Sequence, residues 1–594
     1  MNRNQELATL FQEMATALEL TGANPFRVAA HSRVARALES MSEDAAALAL
    51  ADRTKLTAIE GVGDASARKM EEFARTGRIE EHQELMAQIP RGLLEVLQVP
   101  GLGPKSVRHL WKDAGVTDLA GLRAALDAGT LSGIPRMGPK TLANLRESLD
   151  FMARSQGRTR LGEALPLAEA LVERLRDVPG IGRVEYAGSL RRGRETIGDL
   201  DVLAVVESQE VNAAAMEAFC RGAEKVLAEG PTKCSIRLPE GVQADLRTVP
   251  AASWGAALMY FTGSKEHNVR LRERAQAQGL RLNAYGLYPD DGEAAPQDRG
   301  AVAVAGRTEE EVYAALGLPW IPPELREDHG ELTTPLPRDL IREDDIRAEL
   351  HAHTTESDGR LSLDQLIAAA KARGFHTIAV TDHSRSSAQA NGLSEERLLR
   401  HIDAIREAGA RAGGIQVLAG SEVDILADGR LDYPDAILEK LDLVVASPHA
   451  SLRQDPATAT ARLLAAVTHP LVHILGHPTG RLINSREGLS PDIAALVAAA
   501  AEHGTALEVN AHWMRLDLRD HHVRAAVEAG ALVAIDCDVH DPEDFQNLRY
   551  GVRTARRGWL TASRCVNTWD AATLRRWLKD KRGARPDRAA GGAG

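Results

Sequence analysis

Cysteine is scarce: the 594 residues contain four, Cys220, Cys234, Cys537 and Cys565, and no Cys-x-x-Cys pair. This excludes a disulfide framework and a zinc ribbon, and it suits a reducing cytoplasm. Long apolar runs are also lacking. The longest, residues 493–501, is far too short to cross a bilayer. The opening Met1-Asn2-Arg3-Asn4 leads into an amphipathic pattern instead of a signal core, so no membrane association is expected. Nor is there a surplus of positive charge. The net charge of −12 excludes a general nucleic-acid coat, while a local basic groove on an acidic body remains compatible with an enzyme. Residues 1–160 hold 21 Lys and Arg against 20 Asp and Glu, so any grip on DNA by charge falls in this near-neutral third.

The length predicts about three to five domains. Residues 1–155 read as helices joined by short glycine turns, with Leu7, Leu10, Phe11, Met14 and Leu18 at helical spacing. From 160 to 250 a helix is followed by short β-rich runs at 184–187, 200–206, 235–238 and 242–249. An α+β segment continues to about 325, and residues 320–337, rich in proline and charge, read as a linker. Strand and helix patterns then alternate to about 580, ahead of a Gly/Ala/Arg-rich tail read as disordered.

Three turns punctuate the helical third: Glu60-Gly61-Val62-Gly63, Pro100-Gly101-Leu102-Gly103-Pro104-Lys105 and Met137-Gly138-Pro139-Lys140. A Gly-x-Gly turn lets the backbone approach a phosphate and aims the N–H groups of the next helix at the anion. Such contacts grip DNA without reading its sequence. A single turn of this kind favours the reading as a plain helix connection with glycine caps. Three, two of them followed by Pro-Lys, favour phosphate binding through Gly61, Gly63, Gly101, Gly103, Lys105, Gly138 and Lys140. They resemble the helix-hairpin-helix motif of DNA repair proteins. Lys69 falls on the helix leaving the first turn, either as a solvated or phosphate-contacting lysine or as an amine able to form a Schiff base with an abasic sugar.

The sharpest motif is Gly188-Ser189, followed by Arg192 and then Gly198-Asp199-Leu200-Asp201. On a strand, positions i and i+2 share a face, so Asp199 and Asp201 can share metal ions. Asp245 lies on a later strand able to pair beside them. Three carboxylates around two Mg²⁺ suit nucleotidyl transfer, with Ser189 and Arg192 on the nucleotide phosphates. Asp-x-Asp by itself is common as a solvated strand edge; the upstream Gly-Ser and Arg192 separate this instance from that reading.

Beyond residue 328 lie 15 of the 19 histidines. Seven apolar runs end in His351-Ala352-His353, Asp382-His383, Glu422, His449, His477, Glu508-Val509-Asn510 and Asp538-Val539-His540. Imidazole and carboxylate are ligands of borderline divalent metals, and strands that all deliver them at their C-terminal ends assemble a βα-barrel active site. Scattered solvated histidines explain one or two such endings, not all of them. His376, His401, His503, His521 and His522 lack strand-end placement and read as surface residues; His512 is left open.

Together with Tyr260-Phe261-Thr262-Gly263-Ser264 and Leu282-Asn283-Ala284-Tyr285-Gly286, the hairpins and the Gly-Ser…Gly-Asp-x-Asp motif resemble a family X DNA polymerase. The C-terminal series resembles the polymerase-and-histidinol-phosphatase (PHP) domain. The resemblance implies a multidomain α/β protein. It would comprise a lyase-like helical domain (1–85), a fingers-type helical domain (86–158), an α+β nucleotidyltransferase palm (159–250), a thumb (251–325), a linker (326–345), a distorted (β/α)7 PHP barrel (346–580) and a tail (581–594).

It implies Asp199, Asp201 and Asp245 as catalytic carboxylates, and Ser189, Arg192 and Gly198 on phosphates. Tyr260, Phe261 and Gly263 would lie against the nucleotide, Arg270 on the template strand, and Lys69 at the Schiff-base position. For the barrel it implies His351, His353, Asp358, His383, Glu422, His449, His477, Asp538 and His540 around three divalent metals, Mn²⁺ or Zn²⁺, with Mg²⁺ or Mn²⁺ in the palm. The implied partners are gapped or primed double-stranded DNA and deoxynucleoside triphosphates, in the cytoplasm; no motif points to a protein partner. The chain departs from the family at Gln243, where some relatives have arginine, and at Ala284, where an acidic residue is usual.

The implied activity is gap-filling repair synthesis coupled to 3′–5′ exonuclease action, with abasic-site cleavage or 3′-end trimming by the same barrel. Two other classes remain on sequence alone. One is a template-free nucleotidyltransferase joined to a small-molecule phosphoesterase. The other is a DNA-binding scaffold with an inert barrel.

Overall fold

The computed structural model describes residues 3–583 apart from 40–43, 58, 60–61, 98, 100–101, 156–157 and 291–295. Gly61, Gly101 and residues 584–594 therefore lie outside the described residues. The chain divides into two compact units, Met1–Gln156 with Asn484–Arg486, and Gly157–Ile483 with Glu487–Gly594.

The first unit is helical, and its opening helix Arg3–Thr21 buries Leu7, Phe11, Met14 and Leu18 to 2% exposure or less, as the helical spacing requires. The three hairpins repeat one local geometry. Val62 N–H donates to Ile59, Leu102 N–H to Val99 and Met137 N–H to Ile134, and each apolar residue is buried. Gly63, Gly103 and Gly138 follow, each accepting the N–H four residues on at 3.0 Å, and space for a Cβ is open at all three. Their helices are Asp64–Thr76, Pro104–Ala114 and Pro139–Ser155. The third hairpin has Arg136 where the first two have glycine, and it takes φ 70°, a left-handed conformation that costs a non-glycine residue about 1 kcal/mol.

In the second unit, five strands form an open sheet: β1 (Val184–Tyr186), β2 (Asp199–Val205), β3 (Lys225–Gly230), β4 (Lys233–Arg237) and β5 (Gln243–Val249). Their order is β1-β2-β5-β4-β3, and only β2 and β5 run parallel. The helix Leu161–Arg176 covers one face with Leu165, Leu171 and Val172. Residues 326–345, expected to be a linker, are not a solvated tether: Arg326, Glu331, Leu340 and Ile341 are buried. Arg326 can be buried because its Nη1 pairs with Glu309 at 2.6 Å and its Nε donates to Ile321 O. A proline-and-charge pattern signals a lack of regular structure, and says nothing about such pairing.

The C-terminal part is a seven-stranded, all-parallel sheet in sequence order: β6 (Ala348–Glu349), β7 (Thr377–Val380), β8 (Gln416–Asp424), β9 (Leu443–Ser447), β10 (Ile474–Leu475), β11 (Ala506–Asn510) and β12 (Leu532–Asp536). Strands covered on both faces read as continuous apolar runs, which is why no alternation marks them. The first and last strands are joined by His353 N–H to Val539 O (2.8 Å) and Val539 N–H to His351 O (3.1 Å), giving a (β/α)7 barrel closed next to two histidines. Small and branched residues fill its interior, among them Ala348, Ala379, Leu418, Val445, Ala506 and Ala534.

Candidate active sites in the open sheet and the barrel

In the parallel pair β2–β5, Asp201 stands directly opposite Asp245, with Asp199 one pleat away on the same face. All three carboxylates therefore converge at the C-terminal side of Gly198. Asp245 is buried and fixed by the Ser235 hydroxyl, by Gln243 Nε2 at 3.1 Å and by Lys233 Nζ at 3.7 Å. Burial, then the Asp199 and Asp245 charges, push the Asp201 carboxyl up to about 7. A carboxylate trio that resists ionisation among its own members is a donor set suited to divalent cations, which supply the missing positive charge.

The Gly188-Ser189 turn abuts this trio. Gly188 has φ 63°, and a Cβ there would lie 2.3 Å from Asp201 Oδ2, so only glycine fits. Ser189 and Arg192 follow in the short helix Gly188–Arg191 and at its C-terminal end. Arg192 is mostly buried: its Nε donates to Glu327 Oε1 at 3.0 Å and its Nη1 to Thr262 O. Gly263, at φ 70°, lies beside the same guanidinium, and a Cβ there would come within 3.1 Å of Arg192 Nη1. Tyr260 is exposed and stacks edge-on with Phe261 at 5.2 Å. Gly198 is exposed beside Arg158. Arg270 is exposed and paired with Asp328 (3.3 Å) and Glu273 (3.2 Å). In the first unit, Lys69 Nζ is paired with Glu81 at 2.9 Å, while Lys105 and Lys140 are exposed.

The barrel cluster follows from strand parity. His383, Glu422, His449 and Asp538 each lie four residues beyond an interior residue of the same strand (Ala379, Leu418, Val445 and Ala534), so the period of two carries them inward. His351, His353 and His477 break that parity. His477 does so at φ 24°, and Asp538 also takes a left-handed φ of 54°, conformations that concentrate at functional sites.

Eight of the nine sequence-derived ligands fall into three groups with donor atoms within 4.8 Å: His353, Asp358, His383 and His540; His351, His353 and Asp538; His383, Glu422 and His449. The ninth, His477, reaches Glu422 Oε1 through Nε2 at 2.8 Å. Buried atoms without hydrogen-bond partners include His351 Nε2, both nitrogens of His353, His383 Nδ1, Glu422 Oε2, His477 Nδ1 and Asp538 Oδ1. Buried polar atoms are otherwise almost always satisfied; orphaned lone pairs on this donor set fit divalent metal ions. His351 and His353 are fully buried, whereas the side chains of Asp358, His449 and His540 are 34%, 24% and 32% exposed. The cluster has a closed floor and an open rim.

A supporting layer, to which the sequence reading assigned no role, surrounds these ligands. Glu508 Oε1 lies 2.6 Å from His351 Nδ1, and Glu508 Oε2 accepts the His477 N–H at 2.6 Å. Asp424 holds His449 Nδ1, and Asn510 Nδ2 donates to Asp538 Oδ2 at 3.0 Å. Asp382 accepts from Thr354 and Ser357 and contacts His401 Nε2 at 2.8 Å. His401, expected at the surface, is instead buried on the helix Glu395–Ala412, because a helix facing the barrel can deliver a polar group inward just as a strand end does. The signal was present in Glu422/Asp424 and Glu508/Asn510, whose i, i+2 spacing repeats that of Asp199/Asp201. Such partners fix the tautomer and orientation of a metal-binding imidazole.

Family models match along the chain in a consistent order: a helix-hairpin-helix domain at residues 2–79, a SAM-like helix-hairpin-helix tandem at 93–150, a DNA polymerase beta thumb at 257–327 and a PHP domain at 349–512. The chain is 34% identical over 579 residues to a Bacillus subtilis (strain 168) protein named DNA polymerase/3′-5′ exonuclease PolX, covering 97% of this chain and 99% of that one. The barrel alone resembles proteins named probable phosphatase. One is from Thermoanaerobacter sp. (strain X514), at 26% identity over 39% of this chain and 95% of the relative. Another is YcdX of Escherichia coli (strain K12 / DH10B), at 32% over 32% of this chain and 78% of the relative. Near-complete mutual coverage by the first relative, with hairpin, thumb and PHP matches in sequence, shows that this chain belongs to the bacterial family X DNA polymerases that carry a C-terminal PHP domain.

Proposed function

We propose that the chain fills short gaps in DNA by template-directed nucleotidyl transfer and degrades DNA 3′–5′ in its barrel. The observation that carries this reading is the separate convergence of two metal-type donor sets in one compact unit, a carboxylate trio on an open sheet and a histidine-rich cluster in a barrel. Divalent ions, when bound, would activate a 3′-hydroxyl in the palm and a hydrolytic water in the barrel. Asp199, Asp201 and Asp245 would hold Mg²⁺ or Mn²⁺; the nine barrel residues would hold three ions, Mn²⁺ preferred over Zn²⁺.

Ser189, Arg192 and Gly198 would take the triphosphate, and Tyr260, Phe261 and Gly263 the sugar and base. Arg270 would leave its two surface carboxylates for the template strand. Gly63, Gly103, Gly138, Lys105 and Lys140 would hold the DNA backbone, with Gly61 and Gly101 in the same turns. Lys69 would act as a lyase amine only on leaving Glu81, since an ion-paired ammonium is no nucleophile. We assign lyase-like, fingers, palm, thumb and PHP modules to 1–85, 86–158, 159–250, 251–325 and 346–580. The DNA it works on would be cytoplasmic; among the described residues no helix is long and apolar enough to cross a membrane. A second reading of the barrel, action on small phosphate esters, draws on the names of the probable phosphatases and uses the same chemistry.

Asp199→Ala is expected to abolish incorporation into a one-nucleotide gap while sparing 3′–5′ degradation, and His351→Ala to do the reverse. Loss of both activities in either variant would sink the two-site assignment.

A further inference from the structure

The barrel helix Leu548–Arg557 turns a row of arginines toward the nucleotidyltransferase sheet. Arg553 Nη2 donates to Tyr186 Oη at 2.7 Å, Arg556 Nε to Glu324 at 2.8 Å, and Arg549 pairs with Glu169. The last of the row, Arg557, reaches furthest. Its Nη1 donates at 2.8 Å both to the main-chain oxygen of Arg192 and to Glu327 Oε1, the same atom that accepts Arg192 Nε at 3.0 Å. Its Nε is anchored on Asp520 Oδ2 at 2.8 Å. The side chains of Arg557, Glu327 and Arg192 are 3%, 10% and 13% exposed, so water competes little for these bonds.

Glu327 thus serves three cations, since Arg194 also approaches it at 3.7 Å. The Arg192 guanidinium has five N–H donors; Glu327 and the Thr262 carbonyl fix two of its nitrogens and set the plane in which the remaining donors point. Arg557 fixes both ends of that arrangement, the backbone of Arg192 and the carboxylate that aims its side chain.

We infer that Arg557 and Glu327 are positioning residues for the polymerase reaction: a bridge from the barrel holds Arg192 in the orientation that receives the nucleotide triphosphate. The inference rests on the reading of Arg192 as a phosphate ligand. A donor aimed in advance binds an anion without first paying for its own ordering, so the bridge acts on nucleotide affinity more than on turnover. The planar fork of arginine is needed to span Asp520, Glu327 and the main-chain oxygen together, which lysine cannot do.

The test measures steady-state incorporation into gapped DNA by the full chain, with gapped-DNA affinity, 3′–5′ degradation and melting temperature alongside. Arg192→Ala sets the ceiling for the nucleotide KM. Arg557→Ala, Arg557→Lys and Glu327→Gln are each expected to raise nucleotide KM by roughly tenfold, the usual scale for loss of an orienting partner. DNA affinity and degradation should stay within about twofold, a change small on the same scale. Arg192→Ala combined with Arg557→Ala should be no worse than Arg192→Ala. If Arg557→Ala does not fold, Arg557→Lys and Glu327→Gln carry the measurement. An unchanged KM in those variants while Arg192→Ala raises it would overturn the bridge alone. Additive losses in the double variant, or equal losses of DNA affinity, would also overturn it. An Arg192→Ala enzyme with normal nucleotide KM would remove the phosphate reading and the bridge with it.

Discussion

The open sheet and the barrel both gather metal-type ligands, and they do so in opposite physical states. In the sheet, Asp199 is exposed, Asp201 is partly open and only Asp245 is buried. In the barrel, the floor residues His351, His353, Glu422 and His477 are almost fully buried; His351, Glu422 and His477 are held by a neighbour in the cluster or its supporting layer, while both ring nitrogens of His353 lack a hydrogen-bond partner. A site on an open sheet can receive metal together with a bulky substrate. Ions bound at a closed floor would be part of the fold, since its orphaned ring nitrogens and carboxylate oxygens are buried away from solvent.

The strongest break between the two comes from deleting one central ligand in each. Asp201→Ala should lower gap filling by at least about a thousandfold with degradation intact; His353→Ala, which removes a residue shared by two ligand groups, should invert that pattern. Radiolabelled gapped DNA, followed with and without nucleotides, reads both at once. A barrel variant that also stops synthesis would mean that the sites are not separable.

Chelation should next divide the sites by stability instead of activity. Stripping metal from the wild-type chain is expected to lower its thermal midpoint by several degrees, at roughly 2–4 °C per kcal/mol for a domain of this size. The shift should persist in Asp201→Ala and vanish in His353→Ala. Scanning calorimetry with and without chelator decides it; an equal shift in both variants would contradict a structural role for the barrel ions.

How much of this was legible in the sequence follows from the same contrast. Asp199 and Asp201 could be named from their i, i+2 spacing, and eight of the barrel residues from their place at the ends of apolar runs, whereas Asp358 came only with the resemblance to the PHP domain. Asp245 could be named as lying on a later strand able to pair beside that of Asp199 and Asp201; the parallel register that sets it opposite Asp201 is a tertiary fact. Glu508 was legible as the end of an apolar run but not in its role, and His401 was read as a surface residue: each does its work through another side chain, which only the packed barrel reveals. Residues 326–345 were read as a linker from their proline and charge, whereas two of those charges, Arg326 and Glu331, pair with Glu309 and His267 in the interior.

The carboxylate behind His351 supplies a smaller test. Glu508→Gln keeps the volume but replaces the acceptor beside His351 Nδ1 with a group that can present N–H, so the imidazole loses its fixed tautomer. Metal affinity of the barrel should fall by about 10–100-fold, with degradation restored by excess Mn²⁺ and gap filling untouched. Loss that excess metal cannot rescue would place Glu508 in the chemistry and not behind it.

The finest test uses a matched pair. Gln243 Nε2 donates to Asp245 at 3.1 Å and Asn510 Nδ2 to Asp538 at 3.0 Å, so each site has one side-chain amide steadying one ligand carboxylate. The bonds have nearly equal length, yet Gln243 is exposed and Asn510 is fully buried. Water can replace the amide at Asp245 and cannot at Asp538, where removal leaves a carboxylate oxygen buried and unsatisfied. Asn510→Ala is therefore expected to cost about 1.5–3 kcal/mol, the range for a lost hydrogen bond to a charged group. It should raise the Mn²⁺ concentration for half-maximal degradation by roughly tenfold or more. Gln243→Ala should change the Mg²⁺ requirement of gap filling by less than about threefold, since an exposed partner is worth little. Metal titrations of both variants measure the difference in burial directly, and equal shifts would mean that the two sites are equally open to water.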